Sequence, residues 1–152
     1  GKLTIKEYFK VVYEKNDKPY DIYKKELKDV LEFCYNILGE VNSELYGYEA
    51  WYKRFLDRSQ PLVYAWKDEK IVSAILGRTE NQDSLIIGLV ACHKDYRRQG
   101  ITKNLLEYFE KLAREKGYKY ITLGSKEDIF YQKCGYNIIF EIHGQNIYQK
   151  IL

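Results

Sequence analysis

The sequence predicts a mixed α/β fold, a sandwich of helices around one sheet, and three observations carry that prediction. Apolar residues recur at helical spacing from Tyr23 to Leu38, strand-like apolar runs begin at Leu62, and helical and strand patterns alternate after Val90. A chain of 152 residues has the length of one domain, so residues 1–152 are expected to form a single unit. A hydrophobic content of 45%, with 16 Tyr, 6 Phe and 2 Trp, is enough for a sizeable core and argues against disorder.

The elements follow in order. Residues 3–14 read two ways: Thr4 and Glu7 have capping-box spacing, while Tyr8, Phe9, Val11, Val12 and Tyr13 have strand composition. Asn16-Asp17-Lys18-Pro19 is a turn-like break before an amphipathic helix carried by Tyr23, Leu27, Val30, Leu31, Cys34, Ile37 and Leu38, with Gly39 set to end it. Gly47-Tyr48 leads into a second helical piece over 49–56. Residues 62–66 and 71–76 read as strands joined by the charged turn Lys67-Asp68-Glu69-Lys70. After the turn Asn81-Gln82-Asp83, residues 85–92 are apolar on both faces, which predicts a central, buried strand. Ile101, Leu105, Tyr108, Phe109 and Leu112 make the next helix, closed by Gly117. A strand at 120–123, a short helix at 127–133 and strands at 136–142 and 146–151, around His143-Gly144-Gln145, complete the chain.

Several function classes are disfavoured by composition. A net charge of +3, from 25 basic and 22 acidic residues interspersed, lacks the concentrated excess of a nucleic-acid module. The longest apolar run, 85–92, is strand-sized, and the first seven residues hold no signal-peptide core, so neither membrane nor export is expected. Cys34, Cys92 and Cys134 are widely spaced without a C-x-x-C, and His93 and His143 are the only histidines, so no metal site is expected. The cysteines read as reduced, mostly buried thiols of a cytoplasmic protein. Cys92 and His93 are strand neighbours pointing to opposite faces and are not expected to share a proton.

The informative stretch is 90–106, where a buried strand runs into the basic loop Lys94-Asp95-Tyr96-Arg97-Arg98-Gln99-Gly100 and then a helix. Helix-start N–H groups and the macrodipole favour an anion, Gly100 allows close backbone approach, and Arg97, Arg98 and Lys103 add charge. Neither the P-loop nor the Rossmann glycine pattern is present.

Here the chain resembles the GNAT superfamily of N-acetyltransferases. Arg97-Arg98-Gln99-Gly100-Ile101-Thr102 is similar to that family's [R/Q]-x-x-G-x-[G/A] signature, and Phe130-Tyr131-Gln132-Lys133-Cys134-Gly135-Tyr136 to its F-Y-x-K-x-G-[F/Y] segment. The specific motifs cover 90–136; elsewhere the likeness is in element order. The resemblance implies a mixed, mostly antiparallel sheet flanked by helices and splayed at the central strand, with Gly88 a candidate for the local irregularity. It implies acetyl-CoA as co-substrate and an amine acceptor, with direct attack of the amine on the thioester, by a monomer or homodimer and without metal. The CoA pyrophosphate would lie on the amides of residues 98–102, with Arg97, Gln99, Ile101 and Lys103 alongside, and the pantetheine arm beside Val90, Ala91 and Cys92. The N–H of Cys92 would stabilise the oxyanion, and Tyr131 would be the general acid for the thiolate.

Two departures stand out. Thr102 occupies a position where Gly or Ala is usual, so it either crowds the pyrophosphate or supplies a hydroxyl. Where the family often has an Asn contacting the cofactor, only Ser125 offers a substitute. Glu44, Glu80, Asp83 and His93 are base candidates by position, and none is assigned. The acceptor site would be built from residues 39–51, where Glu40, Glu44 and Glu49 with Tyr46, Tyr48 and Trp51 could receive a cation. A CoA-binding regulatory module and a basic nucleic-acid binder are the readings from other classes.

Overall fold

The computed structural model describes residues 1–8, 18–38, 48–58, 61–79 and 81–152. In chain order its elements are β1 (Thr4–Tyr8), α1 (Lys18–Leu38), α2 (Tyr48–Arg58), β2 (Leu62–Lys67), β3 (Lys70–Thr79), β4 (Ser84–Cys92), α3 (Ile101–Glu115), β5 (Tyr120–Ser125), α4 (Asp128–Lys133), β6 (Asn137–Ile142) and β7 (Gln145–Ile151). The ambiguous N-terminal segment is a strand over its described part, because β1 pairs antiparallel with β2 from Thr4↔Trp66 to Tyr8↔Leu62. The expected break at Asn16–Pro19 is shifted: α1 already starts at Lys18, and Pro19 falls in its first turn, where an N–H has no helical partner to lose. Gly39 lies outside the described residues.

The seven strands form one sheet in the order β1-β2-β3-β4-β5-β7-β6. Every neighbouring pair is antiparallel except β4 and β5, which α3 connects as a parallel crossover. The charged turn between β2 and β3 puts Asp68 (φ 53) and Glu69 (φ 61) in the left-handed region, as a two-residue hairpin of primed type requires. At the next turn Asn81 Oδ1 accepts from the N–H groups of Asp83 and Ser84, at 2.8 and 3.0 Å.

Each sheet face has its own core. On one, Ile101, Leu105, Leu106, Phe109, Leu112 and Ala113 of α3 pack against Val63, Ile75, Leu85 and Ile121. On the other, Tyr23, Leu27, Val30, Leu31 and Cys34 of α1, with Phe55 of α2, cover Leu62, Tyr64, Ala74 and Leu76. Phe109 fits so closely that a β-carbon on Gly77 would lie 2.7 Å from its Cζ. Burying a side chain such as Leu31 or Phe109 contributes about 1.5–3 kcal/mol.

β4 is the fourth of seven strands and, as its composition predicts, serves both cores. Leu85 and Ile87 face the α3 side, whereas Leu89 and Ala91 face the α1 side. Alternate residues of a regular strand share a face, so the switch requires one extra residue. That residue is Gly88: Gly77 pairs with Ile87 and Leu76 with Leu89, leaving it unopposed. At the same level the parallel pairing ends. The last β4–β5 pair is Ile87↔Leu123, after which β4 continues to Cys92 paired with β3 alone and with no strand on its other side, which is the expected splay.

The far end of the sheet differs. β6 is an edge strand, exposed along its length, with Ile138, Ile139, Phe140 and Ile142 about half exposed and a register shift at Ile139. Among the described residues no helix is long and apolar enough to cross a membrane.

One buried ionic group ties the elements together. Glu110 of α3, 2% exposed, accepts from the Tyr136 hydroxyl at 2.8 Å and from Lys150 Nζ at 2.9 Å. Lys150 Nζ also donates to the Cys134 carbonyl at the end of α4, at 2.8 Å. Glu110→Ala is expected to cost about 2–3 kcal/mol, because it leaves a buried hydroxyl without its acceptor and a largely buried ammonium with only the Cys134 carbonyl and no counter-charge. Tyr136→Phe should cost about 1 kcal/mol. Urea denaturation of the two variants checks the ranking.

Candidate functional site

The site begins with the backbone of β4 beyond the bulge. The N–H of His93 donates to the Val72 carbonyl at 2.8 Å, which makes His93 and Val72 a hydrogen-bonded pair of the β3–β4 ladder. Such pairs alternate along an antiparallel ladder, so the N–H and C=O of Val90 and Cys92 point away from β3, into the space β5 has left. Consistent with that direction, the Cys92 carbonyl accepts from Arg97 Nε at 3.3 Å.

The loop that follows exposes further amides. Arg98 (φ 63) and Gly100 (φ 77) are both left-handed, and Gly100 caps α3 without a side-chain hydrogen bond. The helical ladder of α3 starts with Asn104 N–H to the Gly100 carbonyl at 3.0 Å, so the amides of Ile101, Thr102 and Lys103 are first-turn donors without an intrahelical acceptor. A β-carbon on Gly100 would meet nothing within 4 Å, so its dihedral angle rather than crowding calls for glycine, and the space above it is open.

Thr102 takes a course the sequence left undecided. Its Oγ1 lies 3.0 Å from Ser73 Oγ, and Ser73 Oγ donates to the Ala91 carbonyl at 3.1 Å. Ser73 has one proton and gives it to Ala91, so Thr102 is the donor to Ser73. Its hydroxyl is committed inside the fold and links α3 to β3 and β4.

Val90, Ala91, Cys92, Arg97, Arg98, Gly100, Ile101, Thr102, Lys103 and Tyr131 come together along one cleft of about 500 Å³. Gln99 does not line it; its Nε2 donates to the Asp95 carbonyl at 3.4 Å. Ser125 lines a second cleft of about 590 Å³ on the other side of the splay, where its Oγ accepts from Glu127 N–H at 2.9 Å. Leu38, Val90, Glu127 and Tyr131 line both clefts, so the two meet at the tyrosine.

Tyr131 is 5% exposed, its ring held by Phe130, Tyr136 and Tyr148 at centroid distances of 5.0, 5.9 and 5.7 Å. Burial first, and then the charge of Glu127, push its phenol above the usual tyrosine range and keep the proton on oxygen. The sequence candidates for a base fare differently. Asp83 sits at the opposite end of β4 and pairs with Lys119 at 3.5 Å. His93 lines neither cleft, and its Nδ1 accepts from Asp95 N–H at 3.1 Å, separate from Cys92, whose thiol approaches the His93 carbonyl at 3.7 Å. Glu44, Glu80 and residues 39–47 lie outside the described residues. Of the acceptor-side aromatics, Trp51 lines the second cleft, while Tyr48 stacks on Tyr52 and donates to the Lys28 carbonyl at 3.1 Å.

Glu127 is the residue that sequence reasoning missed. It lines both clefts and precedes α4 as its N-cap, four residues before Tyr131.

Burial raises the phenols of Tyr131 and Tyr136 above the ordinary value near 10, so the unfolded chain loses these protons first as pH rises. Stability is therefore expected to hold below pH of about 10 and to fall above it, and Tyr131→Phe should make the fall shallower. Denaturant midpoints measured from pH 7 to 11 test this.

Comparison with known proteins adds a family. The model of the acetyltransferase (GNAT) family matches residues 16–136. Among solved structures, the PaiA N-acetyltransferase of Thermoplasma acidophilum in complex with coenzyme A superposes with a TM-score of 0.70 at 15% identity, over 100% of both chains. Ard1 of Thermoplasma volcanium gives 0.70 at 22% identity, over 99% of this chain and 97% of that one. A GNAT family acetyltransferase of Elizabethkingia anophelis with acetyl-CoA bound gives 0.64 at 18%, over 99% and 98%. At these identities the likeness is one of fold. No curated protein matches the chain in sequence.

Proposed function

The chain belongs to the acetyltransferase (GNAT) family, and from that premise we propose that it is a single-domain, cytoplasmic N-acetyltransferase that moves an acetyl group from acetyl-CoA to a primary amine. One observation carries the reading: a single cleft runs from the basic start of α3, along the unpaired backbone of β4, to Tyr131. Two of the similar folds hold coenzyme A or acetyl-CoA.

In this reading the CoA pyrophosphate rests on the amides of residues 98–102, with Arg97, Arg98 and Lys103 supplying charge. The pantetheine arm pairs with the outward backbone groups of Val90 and Cys92, as an added strand would. That places the thioester carbonyl near the Cys92 N–H, which stabilises the oxyanion as the amine attacks. The C–S bond then breaks, the sulfur takes its proton from Tyr131, and the proton lost by the acetylated nitrogen restores the phenol. A buried phenol with a raised pKa remains protonated for this task, and the thiolate, leaving in the same dry surroundings, is made more basic by the same loss of solvation.

Calorimetry with CoA and acetyl-CoA is the first test, and no binding at cellular cofactor concentrations would defeat the proposal. Thiol release across a panel of primary amines, with the three protein cysteines subtracted, then measures turnover. Tyr131→Phe is expected to lower kcat by about 100-fold or more with CoA affinity little changed. Gly100→Leu should weaken CoA at least about tenfold, roughly 1.4 kcal/mol, because a side chain fills the open space over the loop.

A further inference from the structure

The basic loop before α3 is strained in its middle and gripped at its ends. Arg98 and Gly100 are both left-handed there, at φ 63 and φ 77. Glycine enters that region freely, but arginine does so at a cost and relaxes unless its surroundings prevent it. The surroundings act on Tyr96, just before the strained pair, and on Thr102, just after it.

At the first end, the Tyr96 hydroxyl donates to Asp68 Oδ2 at 2.6 Å. Lys70 Nζ lies 5.2 Å from the centre of the same ring, and the His93 ring stands nearly perpendicular to it with centroids 5.4 Å apart. Tyr96 is thereby buried while still lining the first cleft. At the second end, Thr102 Oγ1 donates to Ser73 Oγ at 3.0 Å, and Ser73 is wholly buried. Asp68 sits in the turn between β2 and β3, and Lys70 and Ser73 belong to β3. One hairpin therefore closes both ends of the loop, although neither Asp68 nor Ser73 lines either cleft.

The anchor is itself fixed. Asp68 occupies a two-residue turn, and its Oδ1 accepts from the Gly1 ammonium at 2.9 Å. The hydrogen bond from Tyr96, ahead of that ammonium, holds the Asp68 carboxyl down at about 2, so it is ionised at neutral pH. A carboxylate one tyrosine away from a phosphate site opposes binding by its charge. What it offers there is geometry.

We propose that Asp68 is a positioning residue for the cofactor: through Tyr96 it holds residues 97–101 in their binding conformation before coenzyme A arrives, while Ser73 holds the other end through Thr102. The assignment rests on the acetyl-transfer reading above. A loop held ready binds with its full affinity, whereas one that visits the conformation for a fraction of the time binds more weakly by that fraction. Asp68 makes and breaks no bond in the reaction, so its loss falls on cofactor capture and not on turnover at saturation.

The probe is coenzyme A, titrated by calorimetry into the wild type and its variants, with denaturant midpoints measured alongside. Asp68→Ala is expected to weaken CoA about three- to tenfold, the net worth of one hydrogen bond. Tyr96→Phe, which keeps the carboxylate, should lose a similar factor, and the double variant no more than the larger single loss, because both remove one contact. Asp68→Asn should recover part of the affinity, since its amide oxygen still accepts from Tyr96. It removes the same charge as Asp68→Ala, so the difference between them reads the hydrogen bond alone. With an amine that the wild type acetylates, Asp68→Ala should raise KM for acetyl-CoA and leave kcat unchanged. CoA affinity that is unchanged or tighter in Asp68→Ala is what losing a nearby negative charge predicts, and it overturns the assignment. Equal losses in Asp68→Ala and Asp68→Asn, or additive losses in the double variant, overturn it too. If Asp68→Ala does not fold, Tyr96→Phe decides, and full CoA affinity in that variant overturns the assignment. Failure of the wild type to bind CoA overturns the acetyl-transfer reading instead.

Discussion

One constraint governs this molecule: β4 must serve the cores on both sheet faces and then lose its strand neighbour on one side, keeping only β3. Its first half is locked between β3 and β5, with Leu85 and Ile87 in the α3 core. The extra residue at Gly88 turns the strand over, so that Leu89 and Ala91 enter the α1 core while the outward backbone of Val90 and Cys92 is left without a strand partner. Unpaired backbone in a folded interior is costly unless something bonds to it. Here the cost is confined to a cleft, where a ligand can supply the missing partner. The cleft is thus a product of sheet geometry rather than a hollow carved between side chains.

Around that opening the polar contacts divide into those that hold and those that wait. Ser73, Thr102 and the Ala91 carbonyl form a closed chain that fixes the first turn of α3 against β4. Glu110, Tyr136 and Lys150 do the same for the end of α4, with the Cys134 carbonyl included. Between these two braces sits Tyr131, gripped by three aromatic rings with no described group hydrogen-bonded to its hydroxyl. A ring immobilised by packing and a hydroxyl left available is the combination a reacting phenol needs.

Much of this was legible in the sequence. Helical spacing from Tyr23 to Leu38 and apolarity on both faces of 85–92 gave α1 and the central strand by direct physical reading, while the irregularity at Gly88 was expected through the family resemblance. The cleft was reached through two short motifs, and its residues converged except for Gln99 and Ser125. What escaped was tertiary. No local pattern says that Asp83 lies at the wrong end of its strand, that His93 is occupied in capping a turn, or that Thr102 bonds inward to a serine 29 positions away. Glu127 escaped for a different reason: it stands only four residues before Tyr131, but a charged residue at a helix start is ordinarily solvated surface.

The opposite margin of the sheet poses a separate question of solubility. β6 carries four large apolar side chains near half exposure on an edge that has no further strand among the described residues, the composition that invites strand-by-strand growth into aggregates. The register shift at Ile139 interrupts that edge in its middle. A strand arriving from another molecule finds regular spacing only over the short runs on either side of the kink, so extended templating is blocked by backbone shape where charge does little to block it. Substitutions that straighten β6 would therefore threaten the protein's colloidal behaviour before they touched its chemistry.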